Sequence, residues 1–303
     1  MEENTIRTDR IKSISQRVWE KVGNLTWIEI ISIAIFGSVA RQEDDSDSDI
    51  DLLIVAEYIP EKRIERIPDM VKVKRELNLE FPLDVLLVSK HECRSNFRNH
   101  NPLYLDIALD AKIVCDDSGF LRNLIEETRE YIDSRGLRRE GDSWSFPVIE
   151  RFPTELSRIT IKGWAIGWLS DAKRDLVAAS RLLESALFEK AVYHCQQAVE
   201  KGTKAVLVSW GRFKRTHFVA DTLRIEIGKR DLGEWLEKLT KIADIGDILE
   251  PHVFLSRYPE VTDGILRLPS EKYDTDAAEQ YLESAEHVVK TVEEFIQWWF
   301  SSS

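Results

Sequence analysis

A chain of 303 residues, 43% hydrophobic and 32% charged, carries enough apolar material for packed domains, and its length suits two of them. A net charge of −12 argues against a protein that coats nucleic acid, and no apolar run is long enough to span a bilayer, so no membrane partner is expected. Cys93, Cys115 and Cys195 are odd in number and lack metal-ligand spacing, so they read as free buried thiols. The polar start MEENTIRTDR has no signal-peptide core, so the expected location is cytoplasmic.

In chain order, the first strong element is the run 28–36 (IEIISIAIF), β-branched and apolar, which predicts a buried strand ending at Gly37. The small turn Gly37-Ser38-Val39-Ala40-Arg41 follows, then an acidic insert over 43–47. Ser48-Asp49-Ile50-Asp51 heads a second apolar run, 52–55. Side chains alternate along a strand, so Asp49 and Asp51 point to one face. Two converging carboxylates are poor core material but good ligands for Mg²⁺, which takes one or two and lets substrate phosphates fill its shell. The Gly-Ser turn offers backbone N–H groups and a hydroxyl, which suits a phosphate. A third run, 83–88, holds Asp84; an acid inside a strand needs a partner or a cation. If that strand neighbours the second, Asp84 completes a three-carboxylate cluster. The stretch 111–115 predicts a last strand, and 120–132 has helical spacing.

The Gly37-Ser38 turn, the Asp49-x-Asp51 pair and the later Asp84 resemble the DNA polymerase β-type nucleotidyltransferase superfamily, and GSVAR…SDIDLL is similar to its minimal members. The likeness spans roughly residues 20–116. It implies an α+β domain with a mixed sheet flanked by helices. It also implies that Asp49, Asp51 and Asp84 are catalytic and bind two Mg²⁺ ions, with Asp84 helping to activate the attacking hydroxyl. Gly37, Ser38 and Arg41 are then the nucleotide-binding positions. Gln42 departs from the family, where many relatives have Gly; the change alters the turn and touches no ligand.

Pro147, Pro153 and the glycines at 136 and 141 punctuate 135–157, so the expected division is a first domain over 1–134, a linker over 135–157 and a second domain over 158–303. Apolar spacing predicts helices over 166–185, 188–210, 235–249 and 276–299, an all-α bundle. Residues 201–230 hold eight Lys and Arg against Asp221 and Glu226, which can hold a nucleotide, a short RNA or an acidic partner, or be a solvated helix end. Glu200 and Lys204 form a favourable i, i+4 pair worth about 0.3–0.5 kcal/mol. Trp298-Trp299 reads as a packing or dimer contact.

Trp168…Asp175-Leu176, then His194-Cys195-Gln196-Gln197-Ala198-Val199-Glu200-Lys201, then Thr216-His217 and Arg257-Tyr258-Pro259, are similar to HEPN domains, over roughly 158–297. The resemblance implies a helical, often dimeric domain, frequently encoded beside a minimal nucleotidyltransferase. Some members are RNases using Arg, four to six residues, then His, and Arg212 with His217 fits that spacing. His can shuttle protons near neutral pH, and Arg can stabilise a phosphorane-like charge. Yet Phe213 stands where the family usually has a polar residue, and Val219 stands where some members carry a Tyr that is nucleotidylated. A structural role for His217 is favoured.

The reading is a Mg²⁺-dependent nucleotidyltransferase fused to a HEPN bundle, toxin–antitoxin-like, that transfers a nucleoside monophosphate, AMP from ATP first, to a protein or RNA hydroxyl. Its expected partners are the NTP, that acceptor and a second copy through the bundle. Two alternatives stay open: an aminoglycoside-type small-molecule transferase, and a HEPN RNase or nucleotide sensor with a regulatory transferase domain.

Overall fold

The computed structural model describes residues 2–43 and 48–301, so the acidic insert lies, apart from Glu43, outside the described residues. The chain divides into two compact units, Met1–Gly136 and Leu137–Ser303.

The first unit is α+β. In order it contains α1 (Glu2–Val22), β1 (Glu29–Phe36), the short helix α2 (Gly37–Arg41), β2 (Ile50–Glu57), α3 (Ile67–Leu77), β3 (Leu83–Ser89), α4 (Lys90–Arg98), α5 (Pro102–Asp110), β4 (Lys112–Cys115) and α6 (Phe120–Arg135). The sheet order is β3-β2-β1-β4, with β2 parallel to β3 and the other pairs antiparallel. Period-two alternation sends Ile33, Ile35, Leu52, Ile54, Val85 and Leu87 to the face covered by α1 and α3. Ala34, Phe36, Leu53, Val55, Leu86 and Val88 face α4, α5 and α6. With both faces covered, the strands read as continuous apolar runs rather than as alternating ones. Each fully buried Leu or Ile there contributes about 1.5–3 kcal/mol.

Register places the polar residues. Phe36 lies opposite Asp51, and Asp51 lies opposite Asp84. The end of β1, the head of β2 and the head of β3 therefore meet at one end of the sheet. The Ile50 N–H donates to Pro82 O at 2.9 Å, fastening the two heads together. Past α2 the chain turns at Gln42, whose φ of +62° lies in the left-handed region. A side chain costs about 1–2 kcal/mol there, which explains why glycine suits this position.

The second unit is helical with a small sheet. Its elements are β5 (Arg138–Glu140), β6 (Ser143–Ser145), α7 (Ile161–Glu184), α8 (Phe188–Ser209), β7 (Arg212–Lys214), α9 (Ala220–Ile227), α10 (Trp235–Leu249), α11 (His252–Leu255), β8 (Glu260–Thr262), β9 (Ile265–Arg267) and α12 (Thr275–Trp299). β5 and β6, inside the stretch read as a linker, pair with β7 in the order β5-β6-β7. Their glycine closes a strand-to-strand turn, and Trp144 is fully buried beneath them. Helix α7 starts before residue 166 because Thr160 caps it, its Oγ1 accepting from Gly163 N at 3.1 Å. α8 is buried on most of its circumference and packs against α7, α12 and α10.

An aromatic cluster joins the ends of three helices. Trp210 after α8, Trp235 in α10, and Phe295, Trp298 and Trp299 in α12 pack edge-to-face or tilted with ring centroids 5.4–6.1 Å apart. Trp299 is buried, so the C-terminal pair packs within the unit. Among the described residues no helix is long and apolar enough to cross a membrane.

Candidate active site at the head of the sheet

Gly37 opens α2 with φ of +74°. A Cβ added there would lie 1.8 Å from Asp51 Oδ2 and 2.8 Å from its Cγ. The turn therefore wraps the carboxylate directly, and only a residue without a side chain allows that approach. Asp51 is half-buried; Asp49, one residue before β2, is exposed. Asp84 is in register with Asp51 on the neighbouring strand, its side chain 69% exposed and 3.8 Å from Lys74 Nζ. The predicted adjacency of the second and third strands is present. Among the described residues, however, no three His, Cys, Asp or Glu side chains are placed together so as to hold a metal ion, so the expected three-carboxylate cluster of Asp49, Asp51 and Asp84 is not assembled. The oxygen-only donors still suit a hard cation such as Mg²⁺, which needs one or two carboxylates from the protein.

Arg41 closes α2. Its Nε donates to Glu43 Oε2 at 2.6 Å, and its Nη1 lies 3.8 Å from Asp110 Oδ2 at the end of α5. Ser38 is half-buried in the first turn, its carbonyl accepting the Glu43 N–H at 3.0 Å. Gly37, Ser38, Arg41, Asp49, Asp51 and Asp84 thus all belong to one end of the sheet. The thiols take no part: burial pushes Cys93 and Cys195 up to about 12.

In the second unit, Arg212 and His217 answer to different carboxylates. Arg212 lies on β7, its side chain 12% exposed; Nη2 donates to Glu140 Oε2 at 2.7 Å, and Nε makes an ion pair with Glu226 Oε1 at 3.1 Å. Glu226 also receives Lys229 and Arg230. Burial opposes its charge, but those hydrogen bonds outweigh it and hold the carboxyl below the usual range. His217, half exposed, instead places Nδ1 2.9 Å from Glu200 Oε2. Phe213, after Arg212, packs on Phe146 and Trp164. Val219 is buried, and its N–H donates to Glu250.

Glu200 is a hub that the sequence reading treated only as half of an i, i+4 pair. It is 5% exposed and accepts from Gln196 at 3.1 Å, Gln197 at 3.3 Å and Lys204 at 2.7 Å. The i, i+4 spacing to Lys204 was visible; its burial was not, and burial raises the cost of losing either partner. Nearby, His194 Nδ1 lies 2.9 Å from Asp175 Oδ1, and Lys201 bridges Asp175 and Asp171. The basic segment is largely neutralised within the unit: Lys201, Lys204, Arg212 and Arg224 pair with acids outside the segment, and Lys229 and Arg230 pair with its own Glu226. Arg224, for example, meets Asp244 and Asp247 from α10.

Comparison with known proteins agrees with this division. Residues 24–101 match the family "Polymerase beta, Nucleotidyltransferase", and residues 166–299 match the HEPN domain. A Methanocaldococcus jannaschii protein named as a candidate toxin, MJ1304, is 36% identical over 43% of this chain and 86% of its own length. A second protein from that organism, named as a candidate protein adenylyltransferase, MJ1305, is 32% identical over 39% of this chain and 77% of its own. A solved nucleotidyltransferase-like protein from Exiguobacterium sibiricum aligns over 93% of this chain and 75% of its own, at 11% identity and a TM-score of 0.42, too low to bear on function.

Proposed function

Because the chain belongs to the polymerase β nucleotidyltransferase family through its first unit and to the HEPN family through its second, we propose that it transfers a nucleoside monophosphate, AMP foremost, from an NTP to a hydroxyl of a protein or RNA. The observation that carries this is the fit of the Gly37 turn around the Asp51 carboxylate, with Asp84 in register beside it. A turn built so closely on an acid at the edge of a core serves the acid rather than the packing.

Asp49, Asp51 and Asp84 would hold Mg²⁺ and, with it, the triphosphate. When bound, the ions neutralise phosphate charge and keep attacking and leaving oxygens in line. Gly37 and Ser38 bring backbone and hydroxyl close to the phosphates, and Arg41 adds a positive charge at the same end. Asp84, exposed at the strand head, takes the proton of the incoming hydroxyl. Most of the catalytic effect in such a reaction comes from positioning and charge. A relative named as a protein adenylyltransferase and another named as a toxin support AMP as the group and a protein as the acceptor.

The test incubates the full chain with Mg²⁺ and each labelled NTP, with and without RNA, beside an Asp49→Asn/Asp51→Asn double variant. Label on protein or RNA that disappears in the double variant supports the transferase. Absence of transfer from every NTP, together with His217-dependent RNA cleavage, would move the activity to the helical unit.

A further inference from the structure

An apolar stripe that the site described above does not use runs along the outer strand of the first unit. After β2 the chain makes a 3₁₀ turn, Arg63–Arg66, and continues as α3. Met70, Val73 and Leu77 pack α3 onto the core. Ile64, Ile67 and Val71 instead face solvent, 73%, 52% and 40% exposed, and Lys74 follows them. Steps of three, four and three residues set these four side chains on one face. Among the described residues of the first unit, the other exposed large apolar side chains are Trp19 and Tyr58.

Two contacts fix the course of the stripe. Arg66 is buried at its start and donates from Nη1 to Leu87 O at 3.1 Å, near the far end of β3. Lys74 Nζ, at its other end, lies 3.8 Å from Asp84 Oδ1 at the head of β3. The stripe is therefore about 15 Å long, follows the edge strand and ends on the candidate site. Asp84 alternates with Val85, so it belongs to the sheet face away from α3, and Lys74 reaches round the edge to meet it. Arg75, exposed, adds a second positive charge at that end.

The two sides of the candidate site then have different tasks. Gly37, Ser38 and Arg41 follow β1 and Asp84 heads β3, with β2 between them. In-line displacement brings the attacking oxygen in opposite the leaving pyrophosphate. With the triphosphate on the β1 side, the acceptor enters from the β3 side, past Lys74. Three apolar side chains in a row offer an RNA backbone no pairing but suit apolar side chains of a polypeptide, and a lysine at their end suits a carboxylate.

We infer that this stripe docks the acceptor, and that the acceptor is a polypeptide with an acidic residue near its reacting hydroxyl; this rests on the transferase reading above. Its apolar residues lie on Ile64, Ile67 and Val71, and its carboxylate pairs with Lys74. Its hydroxyl oxygen bonds to the α-phosphorus of the NTP. The bond from that phosphorus to the oxygen bridging to the β-phosphate breaks, pyrophosphate leaves with the electron pair, and the hydroxyl proton passes to Asp84.

The full chain is incubated with Mg²⁺, each labelled NTP and three acceptors in turn. The first is a synthetic peptide with leucines on one side of a single Ser, Thr or Tyr and two glutamates on the other. The second has lysines in place of the glutamates, and the third is a random-sequence RNA. The expected result is transfer to the glutamate peptide at least tenfold above the lysine peptide in kcat/KM. Lys74→Glu should reverse that order, and Val71→Ser should raise the KM for the glutamate peptide at least fivefold while moving the KM for the NTP less than twofold. The peptide ratio is measured within one variant, so a general loss of activity or stability does not move it. Equal use of the two peptides, an order that Lys74→Glu leaves unchanged, or label on RNA or the chain itself but on neither peptide overturns the docking assignment and leaves the transferase standing. Transfer to nothing from any NTP removes both.

Discussion

Asp51 Oδ2 occupies the space in which a side chain on Gly37 would begin, 1.8 Å from an ideal Cβ. Gly37→Ala must therefore displace the carboxylate as well as hold φ at +74°, the latter alone costing about 1–2 kcal/mol. A misplacement near 1 Å in a reacting site costs about 100-fold in rate. The variant should lose nucleotide transfer by about that factor and melt at a lower temperature. Full activity in Gly37→Ala would mean that Asp51 does not need this position.

Glu200 and His217 should separate sharply by substitution. Glu200→Ala leaves Lys204 buried without its carboxylate, a loss of about 3–5 kcal/mol. His217→Ala removes one half-exposed partner of the hub and should cost only about 1 kcal/mol. Urea denaturation of the two variants reads the difference. Equal losses would show that His217, not Lys204, anchors the hub.

Glu226 makes the helical unit sensitive to acid. Its folded pKa is depressed, so its stabilisation is present above the unfolded carboxylate range and is lost as pH falls through the folded value. Thermal midpoints of wild type should therefore fall on acidification below about pH 4.5, the unperturbed glutamate region. Glu226→Gln should be less stable at neutral pH, and its gap from wild type should narrow in that acidic window. A gap that stays constant with pH would detach the effect from ionisation.

The thiols give a simple check of burial. Cys93 and Cys195 sit near 12, so at pH 8 almost none of either is thiolate. A thiol-reactive dye should label the folded chain at Cys115 first, the half-buried one, and the other two only after denaturation. Rapid labelling of all three in the native chain would contradict the packing around α4 and α8.

The strands and turn that carry the candidate site were legible because they are local. The run 28–36, the Gly37 turn, the Asp49–Asp51 pair and the run carrying Asp84 are separated by short distances in sequence, and strand alternation fixes the faces of the residues inside β1, β2 and β3; Asp49, one residue before β2, lies outside that rule. The bundle helices at 188–210, 235–249 and 276–299 were also clear, since apolar spacing over four or more turns leaves little choice. Elements of three to eight residues, such as β5, β6 and α9, carry too few repeats to show a period.

By itself, the sequence determined which side chains share a strand face and which segments are helical, because those follow from periodicities of 2 and 3.6 residues. Only the tertiary structure decided which acid meets which base. It put Asp84 beside Asp51 through the parallel pairing of β2 and β3, separated Arg212 from His217 onto Glu226 and Glu200, and buried a Glu200–Lys204 pair that spacing alone places on a surface. The reason is physical: charge pairing acts over a few ångströms of space, and residues far apart in the chain reach that range only once the helices and strands have packed.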